Sequence, residues 1–211
     1  MKKYFLLTLL FATSTGISAQ NTNQPDSKMS FGVKGGYSLS NMKFFDNKLN
    51  SKSYFYIGII GEQPISSKVG LQAEVLYTQV GGKDSYPLVQ LVGNEIVEMG
   101  DIKFDYQLTQ IQIPISAKYY FIPNLSASAG MNFGINVSKK VKTEQIVNGS
   151  TSHDYENIKS INLFPFLGLE YKIDNNFFVD ARYHFNFIGI NKGSSDTKIG
   201  FLQAGVGYKF Q

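Results

Sequence analysis

Phe177-Phe178-Val179-Asp180-Ala181-Arg182-Tyr183-His184-Phe185-Asn186-Phe187 alternates with a period of two. Every odd position is apolar or aromatic, whereas Asp180, Arg182, His184 and Asn186 stand at even positions. Successive strand residues point to opposite faces, so the segment reads as a strand with one apolar face and one charged face. The last stretch repeats it: Leu202, Ala204, Val206, Tyr208 and Phe210 share one parity, and Gln203, Gly205, Gly207 and Lys209 the other.

Working back along the chain, the same pattern marks Ser30 to Ser40, Val69 to Val80, a fourth strand around Gln110 to Phe121, Leu125 to Val137, and about Ile158 to Ile173. Tyr54 to Glu62 is apolar on both parities and completes eight segments without declaring its faces. The links alternate in length. Short ones lie at Gln63-Lys68, Ile122-Asn124 and Asp174-Asn176, the last two with turn chemistry; long ones cover about 41–53, 81–103, 139–157 and 189–197. This predicts an all-β fold: an eight-stranded antiparallel up-and-down transmembrane β-barrel of OmpA/OmpX-like size, with short periplasmic turns, long outer loops and both termini in the periplasm. Two long loops hold further hairpin signals, Leu91-Val92-Gly93-Asn94-Glu95-Ile96 and Ile146-Val147-Asn148-Gly149-Ser150. Strands three to six are therefore expected to continue past the bilayer as a protruding sheet.

The N-terminus fits an exported protein. Lys2 and Lys3 precede an apolar run from Tyr4 to Ala12, followed by small and polar residues to Ser18-Ala19. This reads as a signal peptide over 1–19, then a polar periplasmic lead-in over 20–29 and the barrel domain over 30–211. The apolar run is too short to span a bilayer as a helix. Cysteine is absent, which excludes disulfides, thiolate catalysis and cysteine-held metal. The formal charge of +4 falls by two with loss of Lys2 and Lys3, and no basic run resembles a nucleic-acid footprint. The expected partner is the outer-membrane bilayer, and Phe210 resembles the C-terminal aromatic signal read by barrel-assembly machinery.

Parity places Lys34, Glu74, Lys118, Glu170, Lys172, Asp180, Arg182, His184 and Lys209 in the lumen, mostly toward the periplasmic half. The turn at Asp174-Asn176 sets Glu170 opposite Asp180, two carboxylates that need a cation between them from Arg182, Lys172 or Lys118. An eight-stranded barrel is just wide enough to be filled by side chains, so these residues read as a plug before they read as an ion path. Tyr119, Phe121, Tyr171, Phe177, Tyr208 and Phe210 near one set of strand ends, and Tyr37, Tyr77 and Phe187 near the other, read as aromatic girdles.

Catalysis has little to draw on. His153-Asp154 sits beside Ser150, Thr151 and Ser152, but adjacent side chains on an extended loop point opposite ways. His184 reads as a hydrogen-bonding lumen residue, and two separated imidazoles make no metal site. The chain is expected to be non-enzymatic and without cofactor.

Phe31-Gly-Val-Lys-Gly-Gly-Tyr-Ser-Leu-Ser-Asn41, Gly70-Leu-Gln-Ala-Glu-Val-Leu-Tyr-Thr-Gln79 and Ile111-Gln-Ile-Pro-Ile-Ser-Ala-Lys-Tyr-Tyr-Phe121 resemble the PorT-type outer-membrane β-barrel family of Bacteroidetes. The resemblance spans nearly the whole mature chain and implies fold and location. Most such proteins have no assigned activity, and the founding member is linked to type IX secretion. Three functions are thus in view: a structural or interaction protein working through its outer loops, an accessory part of a secretion or transport assembly, and a small pore.

Overall fold

The computed structural model describes residues 28–44, 47–145, 149–193 and 197–210. The expected signal peptide, most of the lead-in and the turn at 146–148 lie outside them. The described strands are β1 (Ser30–Phe44), β2 (Asn47–Lys48), β3 (Lys52–Pro64), β4 (Val69–Val92), β5 (Glu95–Ile122), β6 (Leu125–Gln145), β7 (Gly149–Asp154), β8 (Ile161–Lys172), β9 (Phe177–His184) and β10 (Thr197–Phe210).

Eight of them form a wall of antiparallel neighbours in the order β1, β3, β4, β5, β6, β8, β9, β10, and β10 pairs back onto β1 from Phe31↔Phe210 to Phe44↔Thr197. The fold is a closed up-and-down β-barrel, which leaves the wall no open edge. β2 and β7 are short additions that pair with β1 and β6.

One parity of every wall strand faces out. Phe31, Ile57, Leu71, Ile115, Leu169 and Val206 are among the exposed apolar side chains of that surface. A soluble protein rarely carries so large an apolar exterior. The other parity is buried. Pairing settles the faces of β3, where Tyr54, Tyr56, Ile60 and Glu62 point in and Phe55, Ile57 and Ile59 point out.

Several boundaries depart from the sequence reading. Much of the two long links at 81–103 and 139–157 is strand, because β4 and β5 stay paired up to Val92↔Glu95 and β6 folds back onto β7. Gly93 takes φ 66° in the two-residue connection, a conformation that suits a tight hairpin turn and that glycine adopts without penalty. The sixth wall strand does not join the protruding sheet. It starts at Ile161 rather than Ile158, and the fourth strand of the protrusion is β7. Ile158 instead bridges to Asn191 and is fully buried. The seventh wall strand stops at His184, short of Phe187, as the chain turns Ile190 into the interior.

Candidate functional site

The lumen is filled in layers. At the end carrying the short turns, Glu62 and Glu170 alternate with Lys118 and Lys209 in a four-membered ring. The Lys118 Nζ lies 2.7 Å from Glu62 and 2.8 Å from Glu170, and the Lys209 Nζ lies 2.7 Å from each. The Tyr120 hydroxyl donates to the other oxygen of Glu62 at 2.5 Å. Above the ring, Arg182 donates to Glu74 at 2.7 Å and to Asp180 at 2.9 Å, and Lys34 meets Asp180 at 2.6 Å. Four carboxylates thus face four cations, all buried. Such charges are tolerable away from water only when paired in this way.

An amide layer follows. Gln112 donates to Gln110, Gln203 donates to Gln112, and the His184 Nε2 meets the Gln203 Oε1 at 3.1 Å while its ring stacks on Phe201 at 4.0 Å. Toward the long loops the lumen becomes apolar: Met42, Leu49, Val80, Leu108, Ile158, Phe164, Ile190, Ile199 and Phe201 form one cluster.

Eight of the nine residues assigned to the lumen by parity are buried there. Lys172 departs from the group: it is half-buried, with its Nζ 5.6 Å from the centre of the Tyr120 ring, and does not bridge Glu170 to Asp180. Those two carboxylates are cross-strand partners, but each is neutralised by a different cation set. Glu62 escaped the sequence reading because β3 shows no polar parity. Its signal was the two-residue stagger from Tyr54 and Tyr56 to a carboxylate at the strand end. The apolar cluster was missed as well, since a third of it, Leu49, Ile158 and Ile190, comes from residues between strands, without periodicity.

Tyr37, Tyr77, Tyr119, Phe121, Tyr171, Phe177, Phe187 and Phe210 are exposed, and Tyr208 is half-buried against Phe177 and Phe210. Phe187 lies beyond β9 and stacks on Phe185.

The second feature is the protrusion. β3 pairs with β4 only as far as Tyr56↔Thr78, and β6 pairs with β5 only as far as Lys103↔Glu144. Beyond, β4 and β5 rise as a two-stranded ribbon. From Val80 to Val92, at 3.3–3.4 Å per residue, they reach about 40 Å past the apolar cluster. Leu91 is 69 % exposed and Ile96 72 %, with Val89, Val92, Val97 and Met99 also open to solvent. Lower down, Tyr86, Phe104, Tyr106 and Tyr155 form an aromatic ladder on the lumen-facing parity. The opposite face carries Lys83, Asp105 and Lys142 in one cross-strand row and Ser85, Lys103 and Glu144 in the next. Lys52 reaches Asp105 at 2.6 Å.

His153 and Asp154 are successive residues of β7 and so project to opposite faces, which breaks up the Ser/His/Asp grouping considered above. Among the described residues there is no group of three or more metal-ligating side chains.

A closed eight-stranded wall, apolar outside and filled inside, defines a small transmembrane β-barrel. Residues 18–191 match the family described as outer membrane protein beta-barrel domain, and this chain belongs to that family. It resides in the outer-membrane bilayer. Neisserial surface protein A is similar at 18% identity with TM-score 0.53, over 87% of this chain and 99% of that one. Ail, the attachment invasion locus protein of Yersinia pestis, solved with the heparin analogue sucrose octasulfate, is similar at 18% identity with TM-score 0.50, over 87% and 99%. At such identities the likeness is one of fold. No curated protein matches the chain.

Proposed function

We propose that this chain is a non-enzymatic interaction protein of the cell envelope, and that its working surface is the sheet rising from the long-loop end. In this reading residues 1–19 are removed on export, 20–29 lead into the barrel domain of 30–211, both barrel termini lie in the periplasm, and β10, ending on Phe210, is the handle for barrel assembly. The observation that carries the proposal is a contrast. The lumen is occupied by paired charges and an apolar cluster, whereas Leu91 and Ile96 at the tip of the ribbon lack cover. Apolar groups kept in water at the end of a long projection are costly unless a partner covers them.

The test is photo-cross-linking in intact cells with a reactive side chain placed at Leu91 or Ile96. Adducts from these positions, and none from a control at Lys198, support the reading. Adducts confined to positions on the lipid face or at the short-turn end overturn it. The strand motifs also support a finer kinship with PorT-type barrels, and with it a second reading as an accessory of a secretion assembly. Recovery in a large complex after gentle detergent extraction would favour that role over a self-contained protein.

A further inference from the structure

The protrusion is electrically polar along its length. Between Ser85 and Ile102 the sequence contains Glu95, Glu98 and Asp101 and no lysine or arginine. The base of the same sheet carries exposed Lys83, Lys103, Lys140 and Lys142. Its acids are partly spent, since Lys52 holds Asp105. An acidic, apolar tip therefore stands on a basic stem.

This polarity discriminates between partners. An anionic lipid surface is repelled by the three acids at the tip. Two copies side by side in one membrane would bring acidic tip against acidic tip and lysine stem against lysine stem. Two copies in facing membranes meet head to tail, and every like-charge contact becomes an opposite-charge one. The geometry points to homotypic adhesion in trans: the β4–β5 ribbon of one copy docks antiparallel on the ribbon of a copy in an apposed membrane. This inference rests on the outer sheet being the working surface.

The register supports it. Cross-strand pairing puts Lys83 and Lys142 at the level of Asp105, and Lys140 at the level of Gln107. A two-fold axis near Ile102 then brings Asp101 to the level of Lys103 and Glu98 close to that of Lys83 and Lys142, all on the face that Pro87↔Asp101 and Val89↔Glu98 share with those lysines. The contact is isologous, as a two-fold interface requires. Leu91 and Ile96, a cross-strand pair on that same face, come to rest over the stem of the other copy. Docking through side chains also agrees with the state of the β4 edge. Pro87 lacks an N–H and the pairing shifts register between Pro87 and Val89, devices that discourage strand addition.

An overlap of about 40 Å by 10 Å, two strands wide, buries roughly 800 Å² in total, below the range of stable complexes. One contact is accordingly weak, and many contacts between two membranes give avidity.

The experiment uses the full-length protein in phosphatidylcholine vesicles, with clustering followed by dynamic light scattering. Vesicles bearing the native protein should cluster at low ionic strength and disperse in about 1 M salt, where charges are screened within about 3 Å. E98K/D101K vesicles alone, and K83E/K103E/K142E vesicles alone, should each cluster at least several-fold less. Mixing the two restores both opposite-charge contacts and should restore clustering. Heat-dependent gel mobility verifies that each variant is a folded barrel. Native vesicles that stay dispersed, or mixed variants that fail to recover, overturn the inference. Tip cross-links to a different protein in cells, together with dispersed vesicles, would sink it while leaving the outer-sheet reading intact.

Discussion

Arg182 touches Glu74 and Asp180 at once, and Lys34 is their remaining cation. In Arg182→Ala one of the two buried carboxylates loses its counter-charge, a change expected to cost about 3–5 kcal/mol. The lowered urea midpoint of the purified barrel measures it. Adding Glu74→Gln should return part of that loss, since the neutral amide no longer needs the guanidinium, and the double-mutant cycle gives the coupling. At the short-turn end, Asp174 accepts backbone N–H groups from Phe177 at 2.7 Å and Asn176 at 2.8 Å. The first of these, then the second, holds its carboxyl below the usual range. A depressed folded pKa contributes stability that is present above the unfolded value and fades as pH falls through the folded one. The turn should therefore weaken below about pH 4. Asp174→Asn should flatten that acid limb of the urea midpoint against pH while retaining an Asx-type turn. An unchanged limb would discount the role assigned to the carboxylate.

At the scale of elements, β1 and β10 meet through facing glycines, Gly36 and Gly205. A methyl on Gly205 would lie 2.2 Å from the Tyr56 hydroxyl and 2.4 Å from the Gly35 carbonyl oxygen, too close for either to remain in place. Gly205→Ala should cost about 1–3 kcal/mol, read as a lower urea midpoint, by prising open the seam that closes the wall. β9 and β10 were plain in the sequence because their charged and apolar residues separate by parity. The faces of β3 were not, since Tyr56 and Ile60 fill the lumen with the same kind of side chain that Ile57 and Ile59 present to lipid. Parity found Lys34, Glu74 and Arg182, but it could not show which cation serves which carboxylate. Lys34 reaches Asp180 and Arg182 reaches Glu74 across the barrel, where no local spacing records the contact. The height of the protrusion was legible only as a turn signal at Gly93-Asn94, because ribbon residues beyond the wall no longer need a polar face.

For the whole molecule, a lumen stacked with ion pairs, amides and an apolar cluster should not pass ions. Purified protein in planar bilayers is expected to show no steady conductance, and Arg182→Ala no more than brief openings. Sustained native channels would favour the pore. Seven of the eight wall strands contribute at least one member to the buried charge set: Lys34 from β1, Glu62 from β3, Glu74 from β4, Lys118 from β5, Glu170 from β8, Asp180 and Arg182 from β9, and Lys209 from β10. Lys209, on the last strand, balances carboxylates carried by β3 and β8. A chain with its final strand not yet docked therefore leaves Glu62 and Glu170 to share Lys118 alone, one positive charge short of balance, whereas the finished one is balanced. The charge balance of the lumen is thus complete only when the wall is, which ties the electrostatics of the interior to the closing of the β1–β10 seam.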